Sequence, residues 1–192
     1  MVYSMQQGVA NENELLNHFI ELMRWSGFSK VNQISTVKLS PDIDFLQIDT
    51  HLKETIGYEF KLIKYNKAWK KANLMPMYTG LGEAFHYFQF GVDKSYLVLG
   101  MSNNIPLDAL DEALKRVRQL AQTFISLQAL YKSDVVIKFD VGLRCFGVYI
   151  WNERTNDFTL LLKATENFPM TGDNKHLKLC LLRREFKFDK EF

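Results

Sequence analysis

Two acids and a lysine stand at spacings that suit metal-assisted hydrolysis of a phosphodiester. Asp42 follows Pro41 at the head of an apolar strand, and Glu59 and Lys61 flank Phe60 in the next strand. Successive side chains of a strand point to opposite faces, so Glu59 and Lys61 look one way and Phe60 looks the other, into an apolar layer. The Phe60 carbonyl stays beside the Glu59 carboxylate as a further oxygen ligand. Such an oxygen-rich, partly open shell suits Mg²⁺ or Mn²⁺. The cation would neutralise charge on a phosphate and acidify an attacking water, and Lys61 would orient or activate that water. The residues also have a plain structural reading, because acid-x-Lys recurs on exposed strands and Pro-Asp often starts a turn.

The elements that must position these residues follow from hydrophobic periodicity. Over residues 11–25, Leu15, Leu16, Phe19, Ile20, Leu22 and Met23 recur at helical spacing, with Asn11 as cap and Gly27 as stop. Glu14 lies beside that apolar stripe, where it can reach a sheet edge; Glu12, its competitor, has a structural role as a first-turn acid complementing the helix dipole. Residues 31–39, 43–49 and 56–63 read as strands, and their short polar connections imply antiparallel neighbours. A basic stretch, a helix over 78–90 and a buried parallel strand over 95–100 follow.

Helix, three strands, helix, strand, carrying Glu14, Gly27-Phe28, Pro41-Asp42 and Glu59-Phe60-Lys61 in that order, resembles the PD-(D/E)xK nuclease superfamily. These are the restriction-endonuclease-like proteins, archaeal Holliday-junction resolvases among them. The resemblance covers residues 11–100, about half of a chain expected to form a single domain, and implies an α/β fold: an αβββαβ core whose central mixed sheet is flanked by helices. Residues 101–192 would be a helix and strand extension. The implied activity is a Mg²⁺- or Mn²⁺-dependent DNA endonuclease, structure-specific for a junction or acting on duplex. Glu14, Asp42, Glu59 and Lys61 would be catalytic, with Asp42, Glu59 and the Phe60 carbonyl on the metal. Asp44 shares a strand face with Asp42 and is the alternate acid; the Pro-Asp context favours Asp42.

Lys64, Lys67, Lys70 and Lys71 follow the site, with Tyr65 and Trp69 between them, a pattern that suits a phosphate backbone and its bases. The plainer reading is a solvated helix face with its aromatics packed inward. Net charge is only +2, so any DNA surface must be local. Glu83, His86 and Gln89 share one side of the second helix, where His86 reads as a partly buried residue rather than a catalytic one.

Further on, residues 106–131 read as a long helix and 134–139, 143–151, 158–163 and 176–182 as strands, and the basic tail over 175–190 reads as an amphipathic last strand whose polar face carries Lys178, Arg184 and Lys187. A hydrophobic content of 47% excludes disorder, and Cys145 and Cys180 fit neither a zinc site nor a disulfide scaffold. No membrane-length apolar run and no signal-type opening stand in the sequence, so a cytoplasmic protein is expected. Cutting two strands with one site per chain calls for a homodimer. The competing class is a catalytically inactive nucleic-acid- or partner-binding module on the same fold. Gly-rich phosphate loops, G-x-S-x-G elbows and H-E-x-x-H pairs do not occur in the sequence.

Overall fold

Helix α1 (Glu12–Met23) opens on Asn11, whose side chain accepts from the Glu14 N–H, and ends at Arg24 in the left-handed conformation, three residues before the expected stop at Gly27. The computed structural model describes residues 9–130, 143–152 and 156–192. Strands β1 (Phe28–Ile34), β2 (Val37–Asp49) and β3 (Glu54–Asn66) form an antiparallel meander. The single strand expected over 31–39 is instead the end of β1, a turn at Ser35-Thr36, and the start of β2. Its apolar pattern continues through the turn, so periodicity alone does not mark the reversal.

Past Asn66 the basic stretch turns back as β4 (Lys71–Asn73), a hairpin rather than a helix face. Helix α2 (Met75–His86) carries Pro76 in its first turn and passes into a 3₁₀ turn (Tyr87–Phe90). Strand β5 (Lys94–Met101) runs parallel to β3, in register from Ile56↔Lys94 to Ile63↔Met101. Its alternation serves two buried faces. Tyr96 and Val98 pack under α1 with Phe19, Phe60 and Leu62, whereas Leu97, Leu99 and Met101 pack against Met77 of α2.

Helix α3 (Leu107–Leu130) lays Ala113, Val117, Ala121 and Phe124 on that second face. Beyond β5 the sheet continues with β6 (Phe146–Asn152, parallel) and β7 (Asp157–Leu162, antiparallel). Helix α4 (Asp173–Leu182) stands where a strand was expected over 176–182. The segment alternates polar and apolar residues, but Leu177, Cys180 and Leu181, at helical spacing, are the buried ones and Leu179 is exposed. Short β8 (Phe186–Lys187) and β9 (Lys190–Glu191) pair with β1. Among the described residues the order is β7-β6-β5-β3-β2-β1-β8 in a nine-stranded mixed α/β sheet, to which the described part of residues 101–192 adds at both edges. The strand expected over 134–139 lies outside the described residues. Among the described residues, no helix is long and apolar enough to cross a membrane.

Candidate active site

The sheet splits at one place. β2 and β3 pair from Asp49↔Glu54 to Phe45↔Tyr58 and then part. Over Glu59–Ile63, β3 keeps β5 on one side and no described strand on the other. Two N–H groups on that bare edge are met by carboxylates. The Phe60 N–H donates to Asp44 Oδ2 at 3.0 Å, and the Leu62 N–H to Glu12 Oε1 at 3.2 Å. A residue's N–H and C=O lie on the same side of a strand, which turns the Phe60 carbonyl to this edge as well.

Strand alternation puts Phe60 and Leu62 under α1, and Glu59 and Lys61 on the face toward α2. Glu59 is 2% exposed. Its Oε1 is bound by the Lys61 ammonium and its Oε2 by the Tyr87 hydroxyl. Tyr87 Oη also lies 3.0 Å from the Asp42 carbonyl oxygen and accepts from the Asp44 N–H at 3.3 Å, which ties Glu59 to β2. Lys61 Nζ sits between Glu59 and Glu83 Oε2, the latter at 2.7 Å. Lys30 of β1 reaches Asp44 Oδ1 at 2.6 Å.

Two glycines make this packing possible. A Cβ at Gly80 of α2 would lie 2.5 Å from Lys61 Cγ, and one at Gly57 would lie 2.8 Å from the Tyr87 ring.

Burial, the charge of Asp44 and a hydrogen bond with Glu83 push the Glu59 carboxyl up to about 9, against the opposing pull of Lys61. Burial works against the Lys61 ammonium, but Glu59 and Glu83 overcome it and hold its pKa above the ordinary lysine value. Burial also opposes ionisation of Glu83, whose contacts with Glu59 and Lys61 nevertheless hold it below the usual carboxylate range. Lys30 likewise resists burial and is raised by Asp44.

The structure thus brings together Asp44, Glu59, Phe60 and Lys61, and leaves two of the expected residues aside. Asp42 is exposed, and its side chain makes no hydrogen bond or ion pair among the described residues. Between Val31↔Ile43 and Gln33↔Lys38, β2 spends four residues, Leu39 to Asp42, against the single Asn32 of β1. Asp42 rides on that bulge while Asp44 turns inward. Glu14 accepts from the Ala10 N–H at 2.7 Å and lies 3.8 Å from His18, on the exposed side of α1; Glu12 is the helix acid that reaches β3.

Lys30 and Tyr87 join the site without a motif to announce them. Gly80, Glu83 and Tyr87, spaced three and four apart, do mark one face of the α2 segment in sequence. Lys64, Lys67, Lys70 and Lys71 are exposed along the β3–β4 hairpin, and His86 is half-buried, its ring edge-on to Phe90.

Among the described residues, no three His, Cys, Asp or Glu side chains gather as a metal-holding group. Asp44 and Glu59 supply two carboxylates beside a strand-edge carbonyl. Carboxyl groups beside such a carbonyl are the donor type that Mg²⁺ or Mn²⁺ takes, through one or two carboxylates and several waters; here all four carboxyl oxygens are engaged by Lys30, the Phe60 N–H, Lys61 and Tyr87. No family model, curated protein or solved structure matches the chain.

Proposed function

We propose that the protein is a Mg²⁺- or Mn²⁺-dependent DNA endonuclease of the restriction-endonuclease-like, PD-(D/E)xK type. The observation that carries the reading is the meeting of Asp44, Glu59, Lys61 and the Phe60 peptide where β2 and β3 part. Asp44, Glu59 and the Phe60 carbonyl would hold the cation. When bound, it supplies charge neutralisation at the phosphate and a more acidic water.

The chain's own groups do the positioning. Tyr87 fixes the Glu59 carboxyl, and Glu83 anchors Lys61 from the far side. Lys61, fully cationic, orients the attacking water and faces the developing negative charge. Lys30, paired with Asp44 and partly open to solvent, would meet a non-bridging phosphate oxygen. Glu12, which reaches the Leu62 N–H, takes the supporting part in place of Glu14, and Asp44 stands in place of Asp42. The hairpin lysines carry the DNA backbone, and two copies of the chain cut the two strands of a junction or duplex in the cytoplasm.

One observation favours the inactive binding module instead. All four oxygens of Asp44 and Glu59 are already engaged by Lys30, the Phe60 N–H, Lys61 and Tyr87. Labelled linear duplex, single strand, flap and four-way junction incubated with Mg²⁺, Mn²⁺ or EDTA separate the two readings. Metal-dependent cleavage supports the nuclease, and binding to the same DNAs without cleavage supports the module.

A further inference from the structure

We propose that the β3–β4 hairpin is a wedge for unpaired bases, so that the DNA this protein selects is branched or partly single-stranded rather than continuous duplex. The proposal rests on the nuclease reading for its choice of DNA as ligand.

The hairpin outruns the sheet. Pairing of β3 with β5 ends at Ile63↔Met101, and Lys64 to Asn66 pair with β4 alone. Its tip is set by its own chemistry. Asn66 Oδ1 accepts from the Ala68 and Trp69 N–H groups at 3.0 and 3.2 Å, and Lys70 takes the left-handed conformation with φ 50°. On that fixed turn Trp69 is 71% exposed. The other tryptophans serve the core: Trp25 packs on Phe19 and Tyr58, and Trp151 is 2% exposed.

Cations flank Trp69 along the hairpin. Lys64, Lys67, Lys70 and Lys71 are all exposed, none pairs with an acid among the described residues, and the sequence holds no Asp or Glu between Glu59 and Glu83. A stacked duplex closes its base faces to a protein ring. An indole presented at such a tip gains contact where bases are already unstacked, and lysines on the same hairpin hold the phosphates of that strand. From Lys61 to Asn66 the strand advances roughly 17 Å, about five nucleotides of rise, so cleavage would fall at that distance from the branch point.

The test measures binding of the full chain in EDTA to a four-way junction, a fork and a linear duplex of equal length, by fluorescence anisotropy and by tryptophan emission. Wild type should prefer the branched forms about tenfold, with emission quenched on them and not on the duplex. Trp69→Ala should bring the branched-to-duplex ratio close to one, and Trp69→Phe, which still stacks, should restore most of it. Equal affinity of wild type for branched and linear DNA, or an unchanged ratio in Trp69→Ala, would overturn the wedge, as would Trp69-dependent binding to anionic phosphatidylserine vesicles in place of DNA. Metal-dependent cleavage that persists while the Trp69→Ala ratio is unchanged defeats the wedge alone. Wild type that neither binds nor cuts any of these DNAs defeats the nuclease reading with it.

Discussion

Asp44 and Phe60 are joined across the fork between two strands: Asp44 Oδ2 accepts from the Phe60 N–H at 3.0 Å, two residues past the last β2–β3 pair, Phe45↔Tyr58. A carboxylate stands where the next strand would otherwise supply an acceptor. It is held beside Glu59 by the backbone, which makes Asp44 the better-placed of the two candidate aspartates.

Replacing each aspartate separates their roles. Asp44→Asn retains an oxygen for the Phe60 N–H and so should stay folded, yet lose cleavage on the order of 10²-fold or more as a charged metal ligand disappears. Asp42→Asn, at an exposed bulge position, should stay within a few-fold of wild type. Equal losses in single-turnover cleavage would return Asp42 to the site.

The order of the core elements was legible in the sequence because each carries one strong period: Leu15, Leu16, Phe19 and Ile20 on a helix, and Tyr58, Phe60 and Leu62 on a strand. Glu59-Phe60-Lys61 was legible for the same reason, since alternation alone fixes which way each side chain points. The choice between Asp42 and Asp44 was not, because it turns on a bulge in β2 that periodicity does not register. Lys30 and Tyr87 reach the site from elements distant in sequence. In α4, Leu177 and Leu181, four apart, satisfy strand and helix templates alike until packing against β1, which buries Cys180 and leaves Leu179 exposed, decides between them.

Gly80 is where α2 comes closest to the candidate lysine. Gly80→Ala gains about 1 kcal/mol of helix propensity, offsetting part of the 1 to 3 kcal/mol (roughly) that overpacking costs. The added methyl must push on Lys61 Cγ, 2.5 Å away, so cleavage should fall about tenfold or more while the melting temperature moves by only a few degrees. Full activity in a folded Gly80→Ala variant would show that the position of Lys61 does not matter.

Stability of the metal-free protein should decrease with pH. The folded Glu59 carboxyl keeps its proton up to about 9, whereas the unfolded group releases it near 4.5. Between these values the native state binds more protons than the unfolded one, so unfolding free energy falls as pH rises, by on the order of a few kcal/mol in all. Glu59→Gln has no proton to lose there and should flatten the slope. Urea unfolding in EDTA at about pH 5 and about pH 9 reads both; equal slopes in wild type and Glu59→Gln would refute the assignment. Cation binding competes with the same proton, so apparent Mg²⁺ affinity should strengthen with pH across this window.

Charge reversal of Lys64, Lys67 and Lys71 should weaken binding to every DNA form and flatten its salt dependence by roughly two to three in log K against log salt. Binding titrations over a range of salt concentrations test this. An unchanged slope would remove the hairpin lysines from the phosphate contacts.

The most direct test of the central claim is cleavage of four-way junction, flap, single strand and duplex by wild type, Asp44→Asn, Glu59→Ala and Lys61→Ala, each shown folded by circular dichroism, with Mg²⁺, Mn²⁺ or EDTA. A metal-dependent nuclease working through Asp44, Glu59 and Lys61 requires cutting by wild type with either metal, none in EDTA, and loss in all three variants. DNA left intact by folded wild type with both metals, or equal cutting by Lys61→Ala, would contradict it.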